Sequence, residues 1–260
     1  MSKAIFNFLT CVVTKFTQRN KGKVKYYGNL PKDENTIKYI FDYVKENNIE
    51  KVKKLLANGV DVNVKNSYGQ TPLFCVANSL DMTKVLINYG ADINIKDDEG
   101  NTPLHWMIRS GYHATAEFLM ENGVDVNIKD NTGRTPIFTV YGSMRCLLVK
   151  YGAYVNIKDN KGLTPLYDFV YSLRLIPSRH RIRIPDIFLN DKTCTIVNVK
   201  DEYGWASLHY AASYGNMSMV KTLIEYGATV DDKTFDHGMT PLDLAISYSH
   251  TEVIDLLQKL

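Results

Sequence analysis

The chain has 260 residues, 45% hydrophobic and 23% charged, which is the composition of a folded soluble protein and not of a disordered or fibrous one. Its net charge of +3 is uneven: residues 1–30 carry six Lys/Arg and no acid, residues 174–185 carry four arginines and no acid, and the remainder stands at −7. On a mildly acidic body with two basic patches the overall basicity does not imply nucleic acid, which only the local patches could bind and which is not expected as a partner, and no run approaches the roughly 18 apolar residues a membrane-spanning helix needs.

Residues 1–35 form a basic N-terminal segment. Ala4, Ile5, Phe8, Leu9, Val12, Val13 and Phe16 fall on one face of a helix over 4–16, and a basic stretch follows at 19–25. A helix that caps the end of the fold is the first reading. An interfacial membrane anchor and a cleaved secretory signal are the alternatives, although Asn7 and Thr10 interrupt the apolar run and no small-residue cleavage site follows.

From residue 36 to 260 the chain repeats itself. Gly-x-Thr-Pro-Leu or a near copy recurs as GQTPL, GNTPL, GRTPI, GLTPL, GWASL and GMTPL from Gly69, Gly100, Gly133, Gly162, Gly204 and Gly238. The interval from Gly100 to Gly133 is typical, those from Gly69 and Gly133 are shorter, and that from Gly162 to Gly204 is much the longest. A degenerate first copy starts near 36, which makes about seven units. Within a unit, Thr followed by Pro predicts an N-cap and the first helical position. A short first helix, a polar turn and a second helix follow. Gly59, Gly90, Gly123, Gly152 and Gly227 stand where a left-handed residue closes that second helix. A β-like hairpin then returns to the next unit. One such unit cannot bury its own apolar stripe, but a stack of them can.

The segment GNTPLHWMIRSGYHATAEFLMENGVDVNIKDNTG, with Thr102, Pro103, Leu104 and His105 in its signature, resembles an ankyrin repeat. The resemblance covers roughly residues 36–260 and implies an all-α solenoid of helix–turn–helix units joined by hairpin loops. It implies a non-catalytic protein-interaction module that presents a concave surface to a partner protein, with no cofactor and no metal. A monomer is expected. The nearly unadorned array and its Tyr-, Ile-, Asn- and Lys-rich composition are similar to ankyrin proteins of intracellular bacteria and large DNA viruses. That implies a host protein as partner and a cytoplasm, or a host cytosol, as the place of action. The rival reading is a membrane-peripheral tether held by the N-terminal basic helix.

Nothing in the sequence asks for chemistry. Cys11, Cys75, Cys146 and Cys194 are scattered far apart along the chain, without metal-ligand pairing or a dense disulfide framework. His105 and His209 occupy the fourth position of the Thr-Pro-Leu-His signature, where the resemblance implies hydrogen bonding within and between units. It also implies that Asn63, Asn94, Asn127 and Asn156 could be substrates of an asparaginyl hydroxylase, with a purely structural role as the simpler account.

The resemblance places the binding face on the hairpin tips and the exposed side of each first helix. The positions are the two residues before each repeat Gly, the one after it, and two late in the first helix. They include Asn101 and Arg109 in the third unit, Leu163 and Tyr171 in the fifth, Glu202, Tyr203, Trp205 and Tyr214 in the sixth, and Asp236, His237 and Tyr248 in the seventh. Tyr171, Tyr203, Trp205, Tyr214 and Tyr248 gather towards the C-terminus, which points to a binding patch there. Packing of some of these rings between units is the alternative.

The unit from Gly162 is the one that departs from the period. Its excess lies in or beside LRLIPSRHRIRIPD, where Arg174, Arg179, Arg181 and Arg183 are interspersed with Pro177 and Pro185. A second helix is expected to begin after Pro185. Lengthening a loop is thermodynamically cheap, so a neutral insertion competes with a basic contact for an acidic partner segment.

Overall fold

The computed structural model describes residues 34–140, 143–172 and 195–260. The expected N-terminal helix, the arginine-rich stretch and the helix expected after Pro185 lie outside these residues.

Eleven α-helices follow one another in the described residues: α1 (Glu34–Lys45), α2 (Ile49–Ala57), α3 (Leu80–Asn88), α4 (Pro103–Arg109), α5 (His113–Glu121), α6 (Ser143–Lys150), α7 (Pro165–Ser172), α8 (Ser207–Ser213), α9 (Met217–Glu225), α10 (Pro241–Ser247) and α11 (Thr251–Leu257). Single turns of 3₁₀-helix stand at Pro72–Cys75, Pro136–Thr139 and Thr195–Asn198. The architecture is an all-α solenoid. None of the described helices is long and apolar enough to cross a membrane.

The first helices correct one expectation. In the third and sixth units they are the α-helices α4 and α8, but in the second and fourth they shrink to the 3₁₀ turns at Pro72–Cys75 and Pro136–Thr139. Those are the units with the short intervals. The stretch from Thr102 to Gly123 is the full version, and the matching stretches Thr71–Gly90 and Thr135–Gly152 are both shorter. The missing residues therefore come out of the first helix and its turn, while the hairpin keeps its length. So short a segment can still close i→i+3 bonds, which makes 3₁₀ the shape left to it.

The punctuation works as the residue types require. Thr71, Thr102, Thr135 and Thr240 are extended, each just before a proline that opens a helix. Gly59, Gly90, Gly123, Gly152 and Gly227 close the second helices at φ of 82–92°. The turn between helices also needs a left-handed residue. Gly111 and Gly215 supply it, but Asn47, Ala77 and Ser249 adopt the same region at φ 53°, 49° and 58°. For the last two that conformation is strained.

The capping chemistry depends on the third residue after the Thr. In α10 the Thr240 hydroxyl accepts from the Asp243 N–H and donates to its carboxylate. In α4 the partner is His105. Its Nδ1 accepts from the Thr102 N–H at 3.1 Å and lies 2.9 Å from the Thr102 hydroxyl, so the ring proton sits on Nε2 and is given to the Arg134 carbonyl of the next unit at 3.2 Å. His209 repeats this between the Ala206 N–H and the Asp232 carbonyl, at 3.0 Å each. In the second and fourth units the third residue is Phe74 or Phe138, and the buried hydroxyls of Thr71 and Thr135 have no hydrogen-bond partner among the described residues.

The hairpins form no strand among the described residues; they are stitched one to the next. Each tip donates one backbone N–H to the preceding tip: Asp98 to Tyr68, Asn131 to Glu99, Asn160 to Thr132, Glu202 to Lys161 and Phe235 to Tyr203. Lys65, Lys96, Lys129, Lys158 and Lys200 each reach across with their ammonium group to the carbonyl of the next lysine in the series, at 2.7–3.2 Å. Asn63 and Asn127 donate to the carbonyls of Gly90 and Gly152, and accept from Asp92 and Tyr154. Asn94 accepts from Asp125. The asparagine turn is thus a structural clamp between units.

Among the described residues the buried apolar side chains fall into two clusters along the stack. One extends from Ile40 to Ala153, the other from Leu166 to Leu257, and Val155 touches both. Charged groups occupy the boundary between them. Arg134 donates to Asp159 at 3.0 Å and to Asp168 at 3.4 Å. Arg145, only 1% exposed, sets its guanidinium 5.8 Å from the Phe169 ring centre. Burial raises the Asp168 carboxyl to about 6, with the Asp159 charge adding to the shift and Arg134 and Arg145 opposing it.

Candidate interaction surface

The hairpin tips fix where side chains can reach a partner. Asp201 shows how a tip is made: its Oδ1 accepts the N–H groups of Tyr203 and Trp205 at 2.9 and 2.8 Å, which folds the backbone around the carboxylate. Asp97, Asp130 and Asp159 do the same in earlier units. Gly204 closes this tip at φ 81°, and a Cβ there would lie 2.6 Å from the Phe235 backbone nitrogen, so the next tip can approach only a glycine.

Of the aromatic residues singled out from sequence, Tyr171, Tyr203 and Tyr248 are 40, 56 and 58% exposed. Trp205 and Tyr214 are half-buried: Trp205 packs on His209 and Tyr210 of its own unit, and Tyr214 meets Tyr171 across units, the alternative weighed for some of these rings. Two residues at the position after the repeat Gly are corrected more firmly: Asn101 is 2% exposed and Leu163 9%, so neither is offered to a partner. Arg109 is exposed and reaches Asn101 Oδ1 at 3.4 Å. Thr102, Pro103, Leu104, His105 and His209 are buried, in line with their structural reading. Burial pulls both imidazoles below the usual histidine range, against the carbonyls of Arg134 and Asp232 that favour the charged form. Arg174, Arg179, Arg181 and Arg183 lie outside the described residues.

Two residues missed from sequence organise the patch. Tyr167 on α7 and Tyr210 on α8 meet edge to face at 4.4 Å. Tyr167 also lies 6.0 Å from Tyr171, Tyr171 lies 6.1 Å from Tyr214, and Tyr214 lies 6.3 Å from Tyr210. These four rings close a circuit across the fifth and sixth units, and Trp205 joins it 4.8 Å from Tyr210. The Tyr210 hydroxyl donates to Asp201 Oδ2. Burial, then that carboxylate, pushes its phenol well above the usual range. A small cleft with room for about one water lies beside Tyr167, Trp205 and Tyr210. The rings pack on one another and leave no deep pocket. They make a stiff floor from which Tyr171 emerges.

The pairing of tip and helix is visible elsewhere. Trp106 Nε1 donates to Asp97 Oδ2 at 3.0 Å, across the same sequence separation as Asp201 and Tyr210. This signal was in the sequence, but it needs the helix register to be read.

Phe235 was also missed. It is 68% exposed, beside Asp236 on the last tip. That tip is one residue wider than the others, bonded from Thr234 N–H to the Met239 carbonyl, so the residue that pairs with the preceding tip is Phe235 and not Asp236. Glu202 holds the neighbouring Tyr203 phenol above its usual range, by charge and by a hydrogen bond.

No group of three or more His, Cys, Asp or Glu side chains placed to hold a metal ion occurs among the described residues. The family described as "Ankyrin repeats (3 copies)" matches residues 40–130 and 182–260. SMC5-SMC6 complex localization factor protein 1 of Homo sapiens and that of Bos taurus are each 43% identical over 61 residues, 24% of this chain and 6% of theirs. A putative ankyrin repeat protein of Rickettsia bellii is 39% identical over 64 residues, 24% of this chain and 36% of that protein. The chain thus spans only a small part of the relatives it resembles. Arrays of this kind are typically non-catalytic. With the signature, the stacked helix pairs and the family match in agreement, the chain belongs to the ankyrin-repeat family, whose arrays act as protein-interaction modules.

Proposed function

We propose that the hairpin tips and first helices of the fifth to seventh units hold the partner protein. The observation that carries this reading is the ring circuit of Tyr167, Tyr171, Tyr210 and Tyr214, with Tyr171, Tyr203 and Tyr248 exposed beside it. A tyrosine with two side-chain torsions, seated on packed rings, loses little freedom when a partner covers it. Truncating such an anchor costs about 2 kcal/mol or more at a well-packed interface. The arginine-rich stretch 174–185 begins just after α7 ends at Ser172, so its charge enters the chain next to Tyr171 and offers a second contact. On the resemblance alone, the partner is a host protein met in a cytosol.

The test is affinity capture from a eukaryotic lysate with the full chain, compared with Tyr171→Ala/Tyr203→Ala/Tyr248→Ala and with Ser in place of Arg174, Arg179, Arg181 and Arg183. Circular dichroism checks that each is folded. The reading predicts that the tyrosine variant loses a partner that wild type holds. Loss with the arginine variant alone would move the site to the basic stretch, and retention by both would remove the proposal.

A further inference from the structure

We propose that the segment held on the last two tips is a basic one, an extended stretch carrying arginine or lysine beside apolar residues. The inference rests on the partner face proposed above and names the chemistry of what binds there.

Three observations converge. Residues 195–260 hold nine acidic side chains against four basic ones, a net −5, and with residues 173–194 and their arginines included the count is still −2. Its tips set carboxylate and ring side by side: Glu202 with Tyr203, and Asp236 with Phe235, all four exposed. The tips are contiguous, because the Phe235 N–H donates to the Tyr203 carbonyl at 2.9 Å. The chain itself already places a cation here. Lys200 Nζ lies 5.4 Å from the Phe235 ring centre, and its own charge is met by Asp232 at 2.6 Å. An aromatic face with a carboxylate beside it is the environment in which a guanidinium or ammonium group gains from both the ring quadrupole and the charge.

The other groups on this face do not reverse the sign. His237 pairs with Asp236 at 2.9 Å and helps to hold that carboxyl below its ordinary range. Lys161 and Lys233 are exposed near these tips, but the acids of the surrounding units outnumber them. Asp201 is buried with its oxygens on Tyr203, Trp205 and Tyr210 and is not available to a partner, whereas the Glu202 and Asp236 carboxylates are exposed. Glu202 and Asp236 are therefore the contacts, with Tyr203 and Phe235 as the stacking faces.

A displayed library of random dodecapeptides, selected on the full chain, tests this. The expected result is enrichment of Arg and Lys over Asp and Glu among peptides whose binding weakens as NaCl is raised from about 50 to about 300 mM, across which the screening length shortens. Those peptides should bind Glu202→Gln/Asp236→Asn about fivefold more weakly, the size expected for two exposed pairs. They should bind Tyr203→Ala/Phe235→Ala more weakly still. Acidic or uncharged peptides that are lost on Tyr203→Ala/Phe235→Ala overturn the basic chemistry but leave the partner face standing. Peptides indifferent to both variants overturn both, as does a library that enriches nothing.

Discussion

The units before Gly162 and those from it onward carry the same signature and use it differently. In the second and fourth units the first helix is a single 3₁₀ turn, and the third residue after the Thr-Pro pair's Thr is Phe74 or Phe138. In the fifth to seventh units the first helices are the full α-helices α7, α8 and α10, and they carry Tyr167, Tyr171, Tyr210 and Tyr248 on or just beyond them. Among the described residues the buried apolar side chains of the two regions form separate clusters, and Arg134 pairs with Asp159 and Asp168 between them. A longer first helix adds a turn of side chains to the face it shares with the hairpin tips. The C-terminal half therefore has somewhere to display rings, and the shortened units do not.

The largest expected effect comes from truncating one buried leucine in each of the two described clusters. Leu104→Ala and Leu208→Ala both truncate fully buried side chains and should each cost about 3 kcal/mol. Hydrogen exchange should show Leu208→Ala loosening residues 195–260 well before residues 34–121, with the reverse for Leu104→Ala. Uniform loosening in both would mean that the ion-paired boundary couples the halves as tightly as any other.

The two signature histidines come next. His105→Ala and His209→Ala each strand a buried N–H and release a carbonyl of the next unit, at about 2 kcal/mol apiece by denaturant titration. Burial lowers both folded-state pKa values below the unfolded value near 6.5. Their contribution is complete above that pH and is lost as pH falls below it. His105→Gln and His209→Gln should flatten the loss between pH 7.5 and 5.

Asp168 at the boundary runs the other way. Its folded pKa, raised to about 6, lies above the unfolded value near 3.8, so acidification through pH 6 relieves a buried charge. The gain from pH 7.5 to pH 5 is roughly 1 kcal/mol, and Asp168→Asn should abolish it. A difference between the wild-type and Asp168→Asn profiles that lacks that gain would show that Arg134 and Arg145 neutralise the carboxylate outright.

The smallest effect compares the turns. Ala77 in the first half and Ser249 in the second both sit at positive φ where other units have Gly111 and Gly215. Ala77→Gly and Ser249→Gly should each stabilise by about 0.5–1 kcal/mol, measured as a rise in melting temperature.

Much of this was legible in the sequence. The Thr-Pro pairs located the helix starts, and the five glycines located the left-handed closures, because each rests on a local backbone restriction. The short intervals from Gly69 and Gly133 already recorded the shortened first helices, but they become interpretable only when the deficit is traced between the Thr and the closing Gly. Tyr203 and Tyr248 could be placed by register. Tyr167 and Tyr210 could not, since the ring contact that joins them crosses from one unit to the next and is set by stacking. Phe235 was missed because one extra residue in the last tip shifts its register. Asn101 and Leu163 were misplaced because the backbone bond that closes each tip, from Asp97 to Asn101 and from Asp159 to Leu163, turns these residues inward.

The central claim is that the C-terminal half presents the partner face. Hydrogen–deuterium exchange of the full chain, alone and with its captured partner, tests it most directly. The account predicts new protection at residues 201–205 and 234–239 and in α7 and α10, with 66–70, 97–101 and 130–134 unchanged. Protection confined to those earlier tips would contradict it.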